Sequence, residues 1–317
     1  MFATNDDIDI AAKVVVCWPT NRKWKSKDQD KRVRALFGAP LNIIADIWNM
    51  IWKKLSNEEK KALQDDGVEF KHLLYALVFL KIYSTEEAHC SICDWPSGRT
   101  FRKWSWYFVS KIAELEIDVI KLKNRFGGYK RGDKVHTNCF ISVDCTDCPI
   151  YEPYPFDKKW FSHKFNGPAL KYEVAVCIKT GFIVWINGPF AGSKSDQSIF
   201  KDGLSKELAA DEAVEADAVY NFSGGVAAMQ VKTPAVGWNS EERKEKSVAR
   251  SRNERINGKL KTFNVLTTFF RHSKPREEMT DKHRLCFTAV AVITQLKIEA
   301  GETVDDYSNG EFNVNYF

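Results

Sequence analysis

Near residue 125 the apolar residues of this chain change their period, and that change limits the fold more than any other feature of the sequence. Before it, "LNIIADIWNMIWKKL", "FKHLLYALVFLKIY" and "RTFRKWSWYFVSKIAELE" repeat apolar residues three and four apart, which predicts helices between about Leu41 and Glu116. "NRFGGYKRGDK", rich in glycine and charge, predicts a linker ending near Lys134. Beyond it "KVHTNCFISVD", "KYEVAVCIK" and "GFIVWINGPF" read as strands, the last two joined by a tight hairpin through Lys179, Thr180 and Gly181. There follow a helical stretch, "SDQSIFKDGLSKEL", and a short strand-like piece, "AVEADAVY". A long helix from Asn239, with Glu242 placed to complete its cap, comes next, and an apolar helix ending at Gly301 is expected to pack on the sheet. The order is mixed α/β behind an N-terminal all-helical domain.

A chain of 317 residues, 44% apolar, can bury the core of two domains. The expected divisions are a charged segment over 1–40, with Arg22 to Arg34 a solvated linker, a helical domain over 41–125, and an α/β domain over 126–317. Charge is nearly balanced, 47 basic against 42 acidic residues, so an anionic partner is permitted but not demanded. No run of eighteen apolar residues occurs, and "MFATNDDIDIAAKVVVCWP" carries acids where a secretory signal carries positive charge, so a soluble intracellular protein without a membrane partner is expected. Its eight cysteines are therefore read as reduced thiols. Cys145 and Cys148, three apart on an extended chain, face opposite sides, which argues against a zinc site shared with Cys90 and Cys93.

The chemistry lies in the acids. Asp144 follows the β-branched run of "FISVDCTDCPIYEP" and is expected at that strand's carboxyl end, where open α/β sheets carry their sites; Asp147 stands three residues on, and either acid could instead cap a turn. Asp217 ends the fourth strand-like piece. Glu254 sits in the long helix among eight basic residues between Arg243 and Lys261, with Arg250 and Asn257 on its side, where an ordinary ion pair with Arg250 is the plain alternative. Val248, Ile256, Leu260 and Phe263 form the stripe of that helix expected to face the core. Carboxylates brought together would repel one another unless cations were bound, and oxygen ligands select magnesium or manganese over zinc. Two such ions can drive phosphodiester cleavage, while a basic helix holds the nucleic-acid backbone. In the helical domain, Arg99, Arg102 and Lys103 beside Trp104 suit either a recognition helix in a helix-turn-helix-like arrangement or the solvated edge of an amphipathic helix.

"SVDCTDCPI", "INGPFAGSKSDQSIF", "EADAVY", "KTP" and "RSRNERINGKLKTFNVL", in this order and with "TFRKWSWYFVSKIAELE" and "FTAVAVITQLKIEAGE" on either side, resemble the DDE transposases of the PIF/Harbinger class over nearly everything after residue 70. The resemblance implies a ribonuclease H-like fold, a mixed sheet flanked by helices, and a nuclear enzyme that cleaves transposon ends and joins them to target DNA. It makes Asp144, Asp217 and Glu254 the triad holding two magnesium or manganese ions, with Asp196 and Asp147 as accessory acids. Arg250, Arg252, Arg255 and Lys259 become candidates for phosphate contact. A Myb-like accessory protein and a homo-oligomer on DNA are implied as partners. Three positions depart from the pattern: Cys145 and Val219 stand where the family has glycine, and Ser195 where histidine is common. If the turn after Asp217 needs positive φ, Val219 is strained there, as it would be in a domesticated, inactive copy that only binds DNA or protein.

Overall fold

The computed structural model describes residues 2–19, 26–130, 138–155, 157–220, 224–225, 229–233, 251–272 and 276–302. Two compact units share the chain. One comprises Met1–Val119, Cys148–Tyr151 and Leu260–Leu296; the other comprises Ile120–Asp147, Glu152–Lys259 and Lys297–Phe317. The sequence predicts consecutive domains with a boundary near 126, whereas the units are interleaved along the chain. Long-range pairings that periodicity does not register are the reason. Phe270 stacks on Tyr83 with ring centroids 5.8 Å apart, and its N–H donates to the Pro149 carbonyl at 3.2 Å.

The helical unit contains α1 (Asn5–Val15), α2 (Ser26–Phe37), α3 (Leu41–Lys54), α4 (Asn57–Asp65), α5 (Phe70–Ile82), α6 (Glu86–Ile92), α7 (Gly98–Ala113) and α8 (Glu116–Val119). The three helices read from the sequence are α3, α5 and α7. α5 is apolar on every face and is buried from His72 to Leu80, so the others pack around it. Trp48 of α3 stacks on Phe108 of α7 at 5.7 Å and meets Phe70 edge-on at 4.8 Å. Reciprocal caps start α1 (Thr4 with Asp7) and α4 (Ser56 with Glu59). The expected linker over Arg22 to Arg34 is corrected, because Ser26–Phe37 is helical. Val33 and Phe37, one turn apart, are both fully buried, and Asp30 pairs with Arg34 at 2.6 Å; an apolar pair within the charged stretch suffices to anchor it.

The C-terminal helix Arg276–Glu299 stops just before Gly301, whose φ is +93°. As far as Leu296 it belongs to the helical unit, not to the unit that carries the sheet as expected. With residues Ala289 to Ile293 all buried, its surface names no partner, and sequence alone could not choose one.

The second unit holds a sheet in the order β2-β3-β1-β5-β6, with β4 also paired to β3: β1 (Cys139–Pro149), β2 (Phe161–Ser162), β3 (Gly167–Cys177), β4 (Ile183–Ala191), β5 (Ala213–Glu215) and β6 (Val231–Lys232). β1 with β5 and β5 with β6 are parallel, whereas β3 pairs antiparallel with β2 and β4. The expected β3–β4 hairpin is present, with Gly181 at φ +75° in its turn. Helix α9 (Asp196–Asp202) follows β4. A mixed sheet flanked by helices, behind an N-terminal helical region, agrees with the ribonuclease H-like fold that the resemblance implies. The expected long helix is described over 251–260; Asn239, Glu242 and Val248 lie outside the described residues. Ile256, Leu260 and Phe263 are buried, as their stripe requires. Among the described residues no helix is long and apolar enough to cross a membrane. All eight cysteines are free, and all but Cys17 are buried.

Candidate active site

β1 does not end at Asp144 but runs on to Pro149, the first residue that cannot donate to a ladder. What ends near Asp144 is the parallel pairing with β5, whose last register pair is Ser142 with Glu215. Asp144 thus stands two residues past a parallel ladder, and Asp217 two residues past the other strand of the same ladder.

The Asp144 carboxylate is half-buried. Oδ1 accepts the Cys145 N–H at 2.8 Å, and Oδ2 accepts the Asn257 side-chain amide at 3.2 Å. The Lys164 ammonium lies 3.4 Å from Oδ1 and donates to the Cys145 carbonyl at 2.9 Å. Burial pushes the Asp144 carboxyl above the usual range, Lys164 opposes it, and Asp217 and Asp196 push in the same direction as burial. Asp144 therefore feels the charge of both other aspartates. Lys164 answers them: burial would lower its pKa, but Asp144, Asp196 and Asp147 outweigh burial and hold it above the usual lysine range.

Asp217 opens a single 3-10 turn, Ala218–Tyr220, by accepting the Val219 N–H at 2.9 Å. Val219 is exposed, its carbonyl accepts from Gln197 at 2.9 Å, and its φ is not positive, so the expected strain is absent. Cys145 is likewise accommodated. It is buried in the sheet's core, and its sulfur accepts the Tyr220 hydroxyl at 3.3 Å.

Helix 251–260 is tied to the sheet from below. Asn253, almost wholly buried, donates to the carbonyls of Ser142 at 3.0 Å and Val174 at 3.4 Å, and one turn later Asn257 reaches Asp144. Glu254 is exposed and three residues before Asn257, on the same side of the helix. Among the described residues no three histidine, cysteine, aspartate or glutamate side chains gather closely enough to hold a metal ion, so the triad is not a ready-made cage.

Around it, the expected contacts divide. Asp196 is buried in an ion pair with Lys171 at 2.7 Å. Asp147 is buried, with Oδ2 accepting the Ser162 hydroxyl at 3.0 Å and Oδ1 without a partner. Lys259 is corrected as a phosphate contact: it is 2% exposed and pairs with Glu302 at 2.9 Å. Arg252 donates to the Ile178 carbonyl, Arg255 is exposed, and Arg250 lies outside the described residues. On α7 Arg99 is exposed, whereas Arg102 makes a two-bond fork to Glu86 at 2.8 Å and Lys103 pairs with Asp66 at 2.8 Å.

Sequence reading missed Lys164, Lys171 and Glu173. Lys171 and Glu173 had a signal: two charges on a strand otherwise apolar. Burial lifts Glu173 to about 7 against hydrogen bonds from Trp185 and Asn187. Lys164, in the turn between β2 and β3, had none.

No curated protein and no solved structure matches this chain. Residues 143–295, a span that takes in Asp144, Asp217 and Glu254, match the family model described as DDE superfamily endonuclease, which supports a DDE transposase-like domain over that segment.

Proposed function

We propose that the chain is a DNA transposase of the PIF/Harbinger class, cutting phosphodiesters at transposon ends and joining the freed 3′ ends to target DNA. One observation carries this reading: the raised carboxyl of Asp144 is coupled to Asp217 and bonded by Asn257, on the same side of the helix that bears Glu254. Asp144, Asp217 and Glu254 are the proposed ligands. They fit hard divalent ions, because every donor is a carboxylate oxygen and two of them repel each other until a cation intervenes. Bound there, two magnesium or manganese ions would activate a water or a 3′ hydroxyl and stabilise the leaving oxygen.

The chain's own groups prepare that step. Asn257 fixes the Asp144 plane, Asn253 fixes the helix, and Lys164 sets a positive charge beside the acids, where it meets a phosphate oxygen of the DNA. Arg255 and Arg99, both exposed, serve as backbone contacts. The nuclear location, the Myb-like accessory protein and assembly on DNA rest on the resemblance to the class alone.

A second reading, a transposase-derived protein that binds DNA without cutting it, is favoured by the absence of a three-acid cluster among the described residues. A cleavage assay on DNA carrying the flanking inverted repeats separates the two. The enzyme nicks the ends with magnesium or manganese, stops with chelator, and is inactive as Asp144→Asn. Binding without nicking under every condition establishes the second reading instead.

A further inference from the structure

Between Ser162 and Gly167, a register pair of β2 with β3, lie His163, Lys164, Phe165 and Asn166, all four exposed. Loop tips with such residues are ordinarily loose, but this one has two anchors on β1, the strand that carries Asp144. The buried Ser162 hydroxyl accepts the Phe165 N–H at 3.2 Å and donates to Asp147 Oδ2 at 3.0 Å. The Lys164 ammonium donates to the Cys145 carbonyl at 2.9 Å and lies 3.4 Å from Asp144 Oδ1. Asn166 closes the turn at φ +57°, a conformation that asparagine tolerates.

Phe165 is the one apolar residue of this tip, and it is 40% exposed. Its ring lies beside Gly167, where a Cβ would come within 3.2 Å of ring carbon Cε1. Among the described residues no other aromatic ring meets it, so its open surface is not already taken by a neighbour. A single exposed ring is ordinary; one next to a cation at an acidic site is not. The Lys164 side chain is 57% exposed. Asp196 is answered by Lys171, and the proposed ions answer Asp144 and Asp217, which leaves Lys164 for a phosphate oxygen. A nucleotide carries an anion and a flat ring in one unit, and two consecutive residues here present a cation and a flat ring.

We propose that Phe165 is a stacking platform for a base of the strand being cut: the nucleotide whose phosphate meets Lys164 leaves its duplex partner and lays its base on the Phe165 ring. This role rests on the reading of Asp144, Asp217 and Glu254 as a DNA-cutting site, and adds to it the residue that holds the strand once the base pair at the cut has opened. Stacking accepts any base, because every base has a π face, so Phe165 fixes position and not sequence.

Binding by the full chain in chelator, where nothing is cut, tests the platform on duplexes carrying the flanking inverted repeat. Each of the two nucleotides that share the cut phosphate is left unpaired in turn, once with its base and once abasic. At one of the two positions the parent should bind the base-bearing DNA about tenfold more tightly than the abasic DNA, the worth of one stacked base. Phe165→Ala should bind both DNAs alike with its melting temperature unchanged, and Phe165→Trp should keep the gap. A merely structural role for Phe165 would shift both DNAs equally. No gap at either position in a parent that binds the ends, a gap that survives in Phe165→Ala, or its loss in Phe165→Trp overturns the platform, and the cutting reading then stands or falls on nicking with magnesium alone. A parent that neither binds nor nicks the ends overturns both.

Discussion

Asp144 shows how a single residue can be made ready for a cation by what surrounds it. Half-buried, with Asp217 and Asp196 acting on it, its charge is held down by one lysine and one amide. A divalent ion should relieve that repulsion, so manganese should raise the melting temperature of the parent more than that of Asp144→Asn. Equal shifts would remove Asp144 from the ligand set. Val219 teaches the opposite lesson. Its departure from the family's glycine suggested strain, but in this turn the Asp217 carboxylate accepts its N–H without positive φ. Val219→Gly should therefore leave cleavage no higher and lower stability by about 0.5–1 kcal/mol through added chain entropy, measurable by urea unfolding. Faster cleavage by the glycine variant would show that the backbone was strained after all.

Among the elements, helix 251–260 decides where Glu254 stands, and two asparagines decide where the helix lies. Asn253→Ala would leave the Ser142 and Val174 carbonyls without their donor, and it should lower stability by about 1–3 kcal/mol in denaturant titrations. Charge on the same helix is unequal in use. Arg255→Ala should reduce the salt slope of DNA binding by about one, whereas Lys259→Ala should leave the slope alone, because its ammonium is buried against Glu302. A reduced slope in Lys259→Ala would mean that this ion pair opens to DNA. Elements were the most legible part of the sequence. Apolar spacing located α3, α5, α7, β3 and β4, since each has one face or both faces in a core. Periodicity says nothing about partners across the chain, so the allegiance of Leu260–Leu296, the end of β1 and the burial of Lys259 escaped it. The acids were legible by residue type and by order; the lysines that balance them were not, because one lysine in a turn looks like any other.

At the scale of the whole molecule, the two units should answer acid in opposite directions. In the helical unit burial holds His72, His89 and His272 near 4, against about 6.5 when unfolded, so unfolding takes up protons below about 6.5 and stability falls as pH drops toward 4. In the sheet unit burial raises Glu173 to about 7 from 4.5, so its contribution is whole below about 4.5 and is lost as pH rises through about 7. Hydrogen exchange, corrected for intrinsic rate, should show α5 less protected and β3 more protected at pH 5 than at pH 7, and Glu173→Gln should flatten the change in β3. Movement of both in one direction would contradict these signs. The interleaving of the units bears on how the protein is born. A ribosome finishes the described strands of the sheet before it releases Leu260–Leu296, the segment that closes the helical unit, and the sheet unit itself waits for Lys297–Phe317. At roughly 5–20 residues per second, the part of α5 that packs on Asn264–Leu266 waits on the order of ten seconds or more for its cover. A premature stop ahead of Leu260 therefore takes a segment from both units at once.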